Sequence, residues 1–472
     1  MGVMENKKKP IVWLWTWFGL TILGCGGTAD MIYERYPYLA PGSTVAYVGI
    51  TPQQSPEPMT MSTTAPRLEQ LVEQLLQNGP MVQKARADYL ADANGTTLAL
   101  GFPELDVRVT TPPISNGFQD GTVQIEIMQM IPSPPAWIAN VVAAGAQKDS
   151  ARWKFEAAIR SAVTDLYRMY AELAYIDSAL QVVRNNREIA GHIGSLGAKN
   201  FAQGSGTLVD VTRVMAQLAQ LEYDRITLEE KRTTLAVQIA AMVGSSLSDA
   251  KKWTAVAPLH RVRIPQDAHQ LQTLMLSHRP QLLAMDDEIR MGEAMVAESK
   301  GMWFPDLAIG AMVMVGDGNP TAAHSASSGE TDVALMFGMS FPWSFYATAA
   351  GVRQKNAKLE AMVWEKKAEV DTAIASLEEK LFQMRNAERL FTLYDEVLLP
   401  RAQQAMDAAF ILAQQQHQNP DTMPELLEAR AAWYTFSLGK QRAVTDLFVA
   451  AVMVENLVGI PLIQAAEGEV TP

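Results

Sequence analysis

Cysteine occurs once in 472 residues, at Cys25, so the chain can form no internal disulfide and no cysteine-based zinc site. The six histidines (His192, His260, His269, His278, His324, His417) are scattered, with no H-x-x-x-H or H-E-x-x-H spacing, which leaves metalloenzyme chemistry without a ligand set. Lys and Arg number 39 against 51 Asp and Glu, a net charge of −12. Neutralising phosphates needs clustered bases, so nucleic acid is excluded as a partner. Paired carboxylates, a nucleophile elbow and a phosphate-binding glycine loop are missing too, and "GDGNP" (Gly316 to Pro320) reads as a turn. No catalytic residue, metal ligand or cofactor is assigned, and no enzyme is expected. Hydrophobic residues make up 48% of the chain, enough to exclude a disordered polymer.

The features that are present begin at the N-terminus. Lys7, Lys8 and Lys9 precede the apolar run Ile11–Gly24, which suits a signal-peptide core and falls short of the roughly 20 residues of a membrane-spanning helix. Ile22-Leu23-Gly24-Cys25 resembles a bacterial lipobox, in which the cysteine is acylated and becomes the first mature residue. The alternative is an ordinary signal peptide with an incidental cysteine. The lipobox reading predicts a signal peptide over 1–24 and a lipidated extension over 25–66, with Gly26 in place of Asp fitting export to the outer membrane.

The body repeats itself. "FPELDVRVTT" (Phe102 to Thr111) recurs as "FPDLAIGAMV" (Phe304 to Val313), "NGPMVQKARADYLA" from Asn78 as "HRPQLLAMDDEIRM" from His278, and "AAMVGSSL" (Ala240 to Leu247) as "ENLVGIPL" (Glu455 to Leu462). Two diverged copies, 67–262 and 263–463, precede a short tail, 464–472. Each copy reads helix, strand, strand, long helix, helix. The opening helices are expected over about 67–94 and 267–300.

The strands alternate with period two. They are expected at about 103–111, 122–131, 305–315 and 331–341, long enough for tilted strands to cross a bilayer. No fifth or sixth strand is visible. Four strands cannot close a barrel, and a lipid-exposed edge is not viable. An oligomer in which every copy donates four strands resolves this. The long helices are expected over about 135–200 and 345–417, the first about 100 Å long at roughly 1.5 Å per residue. Ile159, Val163, Leu166, Tyr170, Leu173 and Leu180, interrupted by Asp177, follow coiled-coil spacing. So do Val370, Ile374, Leu377, Leu381, Met384, Phe391 and Leu398. Pro400 should kink the second helix.

Several stretches together resemble the outer-membrane efflux protein family, the TolC-like channel tunnels. "RPQLLAMDDEIRMGEAMVAESKGMWFPDLAIG" (Arg279 to Gly310) is similar to its R-P-D-L helix entering a P-x-L strand. "FAQGSGTLVDV" (Phe201 to Val211) is similar to its aromatic-x-x-Gly-x-x-Ser/Thr-x-x-Asp hairpin tip, and "VLLPRAQQAMDAAF" (Val397 to Phe410) to the proline-bearing stretch of its second long helix. The resemblance covers about 67–462. It implies a mainly α protein with a membrane β-barrel portion: a homotrimer whose twelve strands form one barrel in the outer membrane, above an α-helical periplasmic tunnel. Such ducts are passive. They dock onto a periplasmic adaptor and an inner-membrane pump, here of resistance-nodulation-division type, exporting small toxic molecules or metal ions. A type I protein-secretion duct is the variant. A lipid-anchored periplasmic coiled-coil spacer or adaptor is the alternative from another class.

The resemblance implies adaptor contacts at Phe201, Gly204, Thr207 and Asp210, although Gly204 and Asp210 also suit a turn and a helix start. It implies a periplasmic gate at Asp421 and Glu425, where helix capping around Asn419-Pro420 is the plainer role. The second tip, Gln415 to Leu426, lacks the aromatic and glycine of the first. Met128, Met130, Met312, Met314 and Met336 share parity with the water-facing strand positions. Thioethers suit soft ions, but methionine also fills gaps. Parity places these sulfurs at different heights, so no metal site is assigned.

Overall fold

The computed structural model describes residues 67–111, 123–204, 206–264, 267–315, 331–341, 343–415 and 422–465. Cys25 with the segments 1–24 and 25–66, His324, Asp421 and nearly all of the tail lie outside the described residues. The first copy holds α1 (Leu68–Asn78), α2 (Pro80–Leu100), β1 (Leu105–Thr110), β2 (Val123–Ile131), α3 (Pro134–Ala202), α4 (Leu208–Val243), the short α5 (Leu247–Ala250) and β3 (Val262–Arg263). The second holds α6 (Ala268–His278), α7 (Pro280–Gly301), β4 (Asp306–Val315), β5 (Thr331–Ser340), α8 (Phe345–Thr392), a π-helical stretch (Leu393–Leu398), α9 (Leu399–Gln415), α10 (Thr422–Val458) and β6 (Gln464–Ala465).

Three features differ from the sequence expectation. Each opening helix is broken in two, at Gly79-Pro80 and at Arg279-Pro280, and the first continues to Leu100. Proline offers no N–H to the residue four back and starts a new helix well, so both prolines sit at the first position of the second helix. Second, β3 and β6 exist as an antiparallel pair, Val262 opposite Ala465 and Arg263 opposite Gln464. Two residues are too few to reveal a period, yet they join the end of one copy to the end of the other. Third, a π-helical stretch that the sequence expectation lacked precedes Pro400, and the expected long helix continues through α9. One wider turn absorbs the ring and the missing donor.

Helix α3 has 69 residues. Ile159, Leu166, Tyr170, Leu173 and Leu180 are buried as the spacing predicts, whereas Val163 is half-buried. Ala143, Ala146, Ala162, Ala171, Ala174, Ala179 and Ala190 fill much of the remaining buried stripe, and their small side chains let α2, α4, α7 and α10 pack close to α3. The core is divided into clusters strung along the helices. One gathers Leu271, Met275, Leu377, Leu381, Val454 and Val458 beside the β3–β6 pair. Another joins Ile193, Val214, Met406, Met423, Leu426 and Leu427 near the helical tips.

The two copies close in the same way. Gly244 ends α4 with φ +72°, and a Cβ there would meet the Asn78 carbonyl oxygen at 2.5 Å. Gly459 follows α10 with φ +83°, and a Cβ there would meet the His278 carbonyl oxygen at 2.6 Å. In both, the left-handed turn that ends the returning helix rests on the break between the two opening helices.

Candidate functional site

The four long strands form one antiparallel sheet in the order β1-β2-β4-β5. The strands have 6, 9, 10 and 10 residues. Directly opposed residues share a face, so the register sorts the side chains. One face carries Leu105, Val107, Val109, Ile125, Ile127, Leu307, Ile309, Val313, Val333, Leu335 and Phe337. Most of these are solvent-exposed in the single chain, Leu335 to 73% and Phe337 to 77%. An apolar patch of this extent requires a nonaqueous neighbour. The opposite face carries Asp106, Arg108, Gln124, Glu126 and the methionines. Arg108 reaches Asp106 at 3.4 Å and Glu126 at 4.0 Å across it.

The same register gives the methionines their rows, which parity alone leaves open. Met128 pairs with Gly310 on one side, and Gly310 pairs with Met336 on the other. Two of the five thioethers therefore share one cross-strand row, separated by a residue with no side chain. The outer edges of β1 and β5 have no partner among the described strands.

At the base of the sheet lies an aromatic group with no counterpart in the sequence expectations. Phe102, Trp303, Phe304, Phe341, Trp343, Phe345 and Tyr346 are all exposed, Trp343 to 90%. Phe102 stacks on Trp137 with ring centroids 5.6 Å apart, and Trp303 on Phe345 at 6.1 Å. Belts of aromatic rings of this kind are characteristic of the membrane–water interface of β-barrels. The signal available in the sequence is their position beside Pro103, Pro305 and Pro342. Where strands meet helices, Asp306 accepts the Ser133 backbone N–H at 2.8 Å, and the buried Ser133 hydroxyl donates to the Gly301 carbonyl at 3.0 Å. These bonds tie the start of α3 to the end of α7 and to the start of β4.

At the far end of α3 and α4 the tip residues separate into two kinds. The Thr207 hydroxyl accepts the Asp210 N–H at 3.2 Å and donates to the Asp210 carboxylate at 2.6 Å, and Asp210 is buried. That is a helix N-cap. Gly204 makes the turn at φ +73°. Phe201, Leu208 and Val209 are exposed, and the last two fall outside the marked positions of the tip motif. Glu425 is exposed on α10.

Further along the hairpins, α10 is tied to its neighbours by polar contacts in a dry setting. Buried Arg430 donates to Gln217 at 2.6 Å and to Asn186 at 3.4 Å, and burial pushes its guanidinium pKa down. The Tyr434 hydroxyl donates to Asp224 at 3.4 Å. Burial, followed by the Asp224 charge, pushes its pKa up to about 12. Among the described residues no group of His, Cys, Asp or Glu is arranged to hold a metal ion, and no helix is long and apolar enough to cross a membrane.

Residues 71–245 match the family model described as "Outer membrane efflux protein". No curated protein sequence matches the chain. Its fold is similar to the outer membrane protein VceC of Vibrio cholerae, with a TM-score of 0.70 at 17% identity over 84% of this chain and 96% of that one. It is similar to the outer membrane channel CmeC of Campylobacter jejuni, with a TM-score of 0.67 at 13% identity over 83% and 85% of the two chains. The open MtrE outer membrane channel of Neisseria gonorrhoeae gives 0.66 at 12% identity over 84% and 90%.

Proposed function

Because the chain carries an outer membrane efflux protein domain within the fold of outer-membrane channels, we propose that it is the exit duct of a bacterial efflux system. Three copies complete one twelve-stranded barrel, and their helices continue as a tunnel into the periplasm. The observation that carries this reading is the sheet: nine- and ten-residue strands, one exposed apolar face, one polar face and two open edges. A closed barrel with its apolar face toward lipid is the arrangement that satisfies all of these at once.

In this reading the duct is passive. A periplasmic adaptor engages the tips, where Phe201, Leu208 and Val209 offer apolar contact and Gly204, Thr207 and Asp210 hold the turn in shape. A resistance-nodulation-division type transporter supplies the energy, and the cargo is a small toxic molecule or metal ion. Acylated Cys25 tethers the chain to the outer membrane, and Asp421 and Glu425 line the periplasmic constriction. The contrary reading, a lipid-anchored spacer, leaves the exposed apolar sheet face without a purpose.

The test is outer-membrane fractionation, unheated gel electrophoresis and planar-bilayer conductance of the purified protein. A heat-labile trimer that resists carbonate extraction and conducts ions is expected. A monomer released by carbonate, with no conductance, would overturn the duct.

A further inference from the structure

Three thioethers flank one glycine on the water-facing side of the sheet. Gly310 of β4 lies between Met128 of β2 and Met336 of β5 in a single cross-strand row. Met312, two residues on along β4, projects from the same face, between Glu126 and Ala334. At 4.7–4.9 Å between strands, the Cα atoms of Met128 and Met336 are about 9.5 Å apart. Each is about 8 Å from Met312, one strand across and two residues along. The three methionines thus mark the corners of a triangle, with Gly310 midway along the side between Met128 and Met336. Each side chain turns about three bonds, so the sulfurs can converge over the one residue that has no side chain to obstruct them.

Packing does not account for this placement. All three methionines are half-buried, and among the described elements no helix packs across the sheet. Their neighbours on this face are Asp106, Arg108, Gln124 and Glu126, as befits a wetted wall. Hydration gives a thioether little, whereas a soft monovalent cation gains three neutral donors of matching softness.

From this triangle we propose that Met128, Met312 and Met336 form a transit site for a soft monovalent cation of the Cu(I) or Ag(I) class. The inference rests on the duct reading and names one class of cargo for it. Neutral donors leave the full cation charge in place, which suits passage more than storage. Thioethers have no proton to lose, so binding is independent of pH, unlike cysteine or histidine sites.

The experiment uses the full-length protein in detergent, silver nitrate in chloride-free buffer, and peroxide oxidation of methionine to its sulfoxide read by mass spectrometry. Silver should slow oxidation of Met128, Met312 and Met336 together, several-fold and equally at about pH 6 and about pH 8. The exposed Met81 and Met215 should oxidise as before. Met336→Leu keeps volume and so the fold, and it should abolish protection at Met128 and Met312. Absent or uniform protection, or protection that survives Met336→Leu, would overturn the site. Planar-bilayer conductance of the same preparations separates the two claims. A conducting channel with unprotected sulfurs overturns the site alone, and protected sulfurs in a protein that never conducts overturn the duct alone.

Discussion

Arg232 of α4 holds Asp177 of α3 with two prongs, Nε to Oδ1 at 2.5 Å and Nη2 to Oδ2 at 3.4 Å. The same guanidinium donates to the carbonyls of Trp253 and Thr254, and the second Asp177 oxygen accepts the Val256 N–H at 2.9 Å. One ion pair therefore fastens the connecting segment between the two copies onto the long helices. The Asp177 side chain is 6% exposed and that of Arg232 15%. Removing one partner strands the other charge in a dry place. Asp177→Ala should lower unfolding stability by about 3–5 kcal/mol, measured by chemical denaturation. Replacing both residues with apolar side chains of similar volume should restore much of the loss.

Glycine turns give the second prediction. Gly244→Ala and Gly459→Ala each place a side chain in the left-handed region and against a carbonyl oxygen. Each should cost about 1–3 kcal/mol, visible as a lowered thermal midpoint. Gly145→Ala, which meets nothing within 4 Å in α3, should instead be neutral or stabilise by about 0.5–1 kcal/mol.

Alternation predicts opposite outcomes for neighbouring residues. Leu335 and Ala334 point to opposite faces of β5. In the proposed barrel, Leu335→Arg places a charge on the lipid side, at a cost of about 2–4 kcal/mol near the midplane, and should reduce the heat-labile trimer recovered from outer membranes. In the same barrel Ala334→Arg faces the lumen and should leave assembly intact while altering single-channel conductance.

Tyr434 makes an alkaline prediction. Its folded pKa of about 12 lies above the ordinary tyrosine value of 10.0, so the native state keeps a proton that the unfolded chain has lost. The stabilising contribution is complete below about pH 10 and disappears as pH rises through about 12. Tyr434→Phe should flatten the decline in stability across that window, followed by denaturant titration at stepped pH.

The elements legible in the sequence are those with a long, clean period. The strands of the sheet alternate at two, and α3 repeats its apolar positions for many turns, so both lie within a residue or two of their expected bounds at most ends. Differences arise where one local rule is decisive. Pro80 and Pro280 are visible, yet proline also suits the first turn of a helix, so the residue alone does not separate one helix from two. β3 and β6 have two residues each, and no period exists in two residues. At the tip, the motif points to Phe201 and Asp210 alike, but only pairing geometry separates an exposed ring from a buried cap. The triangle of methionines is hidden for a related reason: parity assigns a face, while the row in the sheet depends on which residue of the next strand stands opposite.

The π-helical stretch before Pro400 has a consequence for how the gene can vary. A wide turn holds one residue more than an α-helix needs, and it takes up locally the rotation of about 100° that the residue would otherwise pass on to everything beyond it. Met406, Ala409 and Ala413 therefore keep facing Ile193, Val214 and Leu426 in the buried cluster despite the surplus. A one-codon deletion within 393–398 should leave that face in place and close the ladder against the Pro400 ring, whereas a deletion between 402 and 408, with no wide turn to absorb it, should swing the later residues off the cluster. Length is thus negotiable at one turn of this hairpin and fixed on the far side of it.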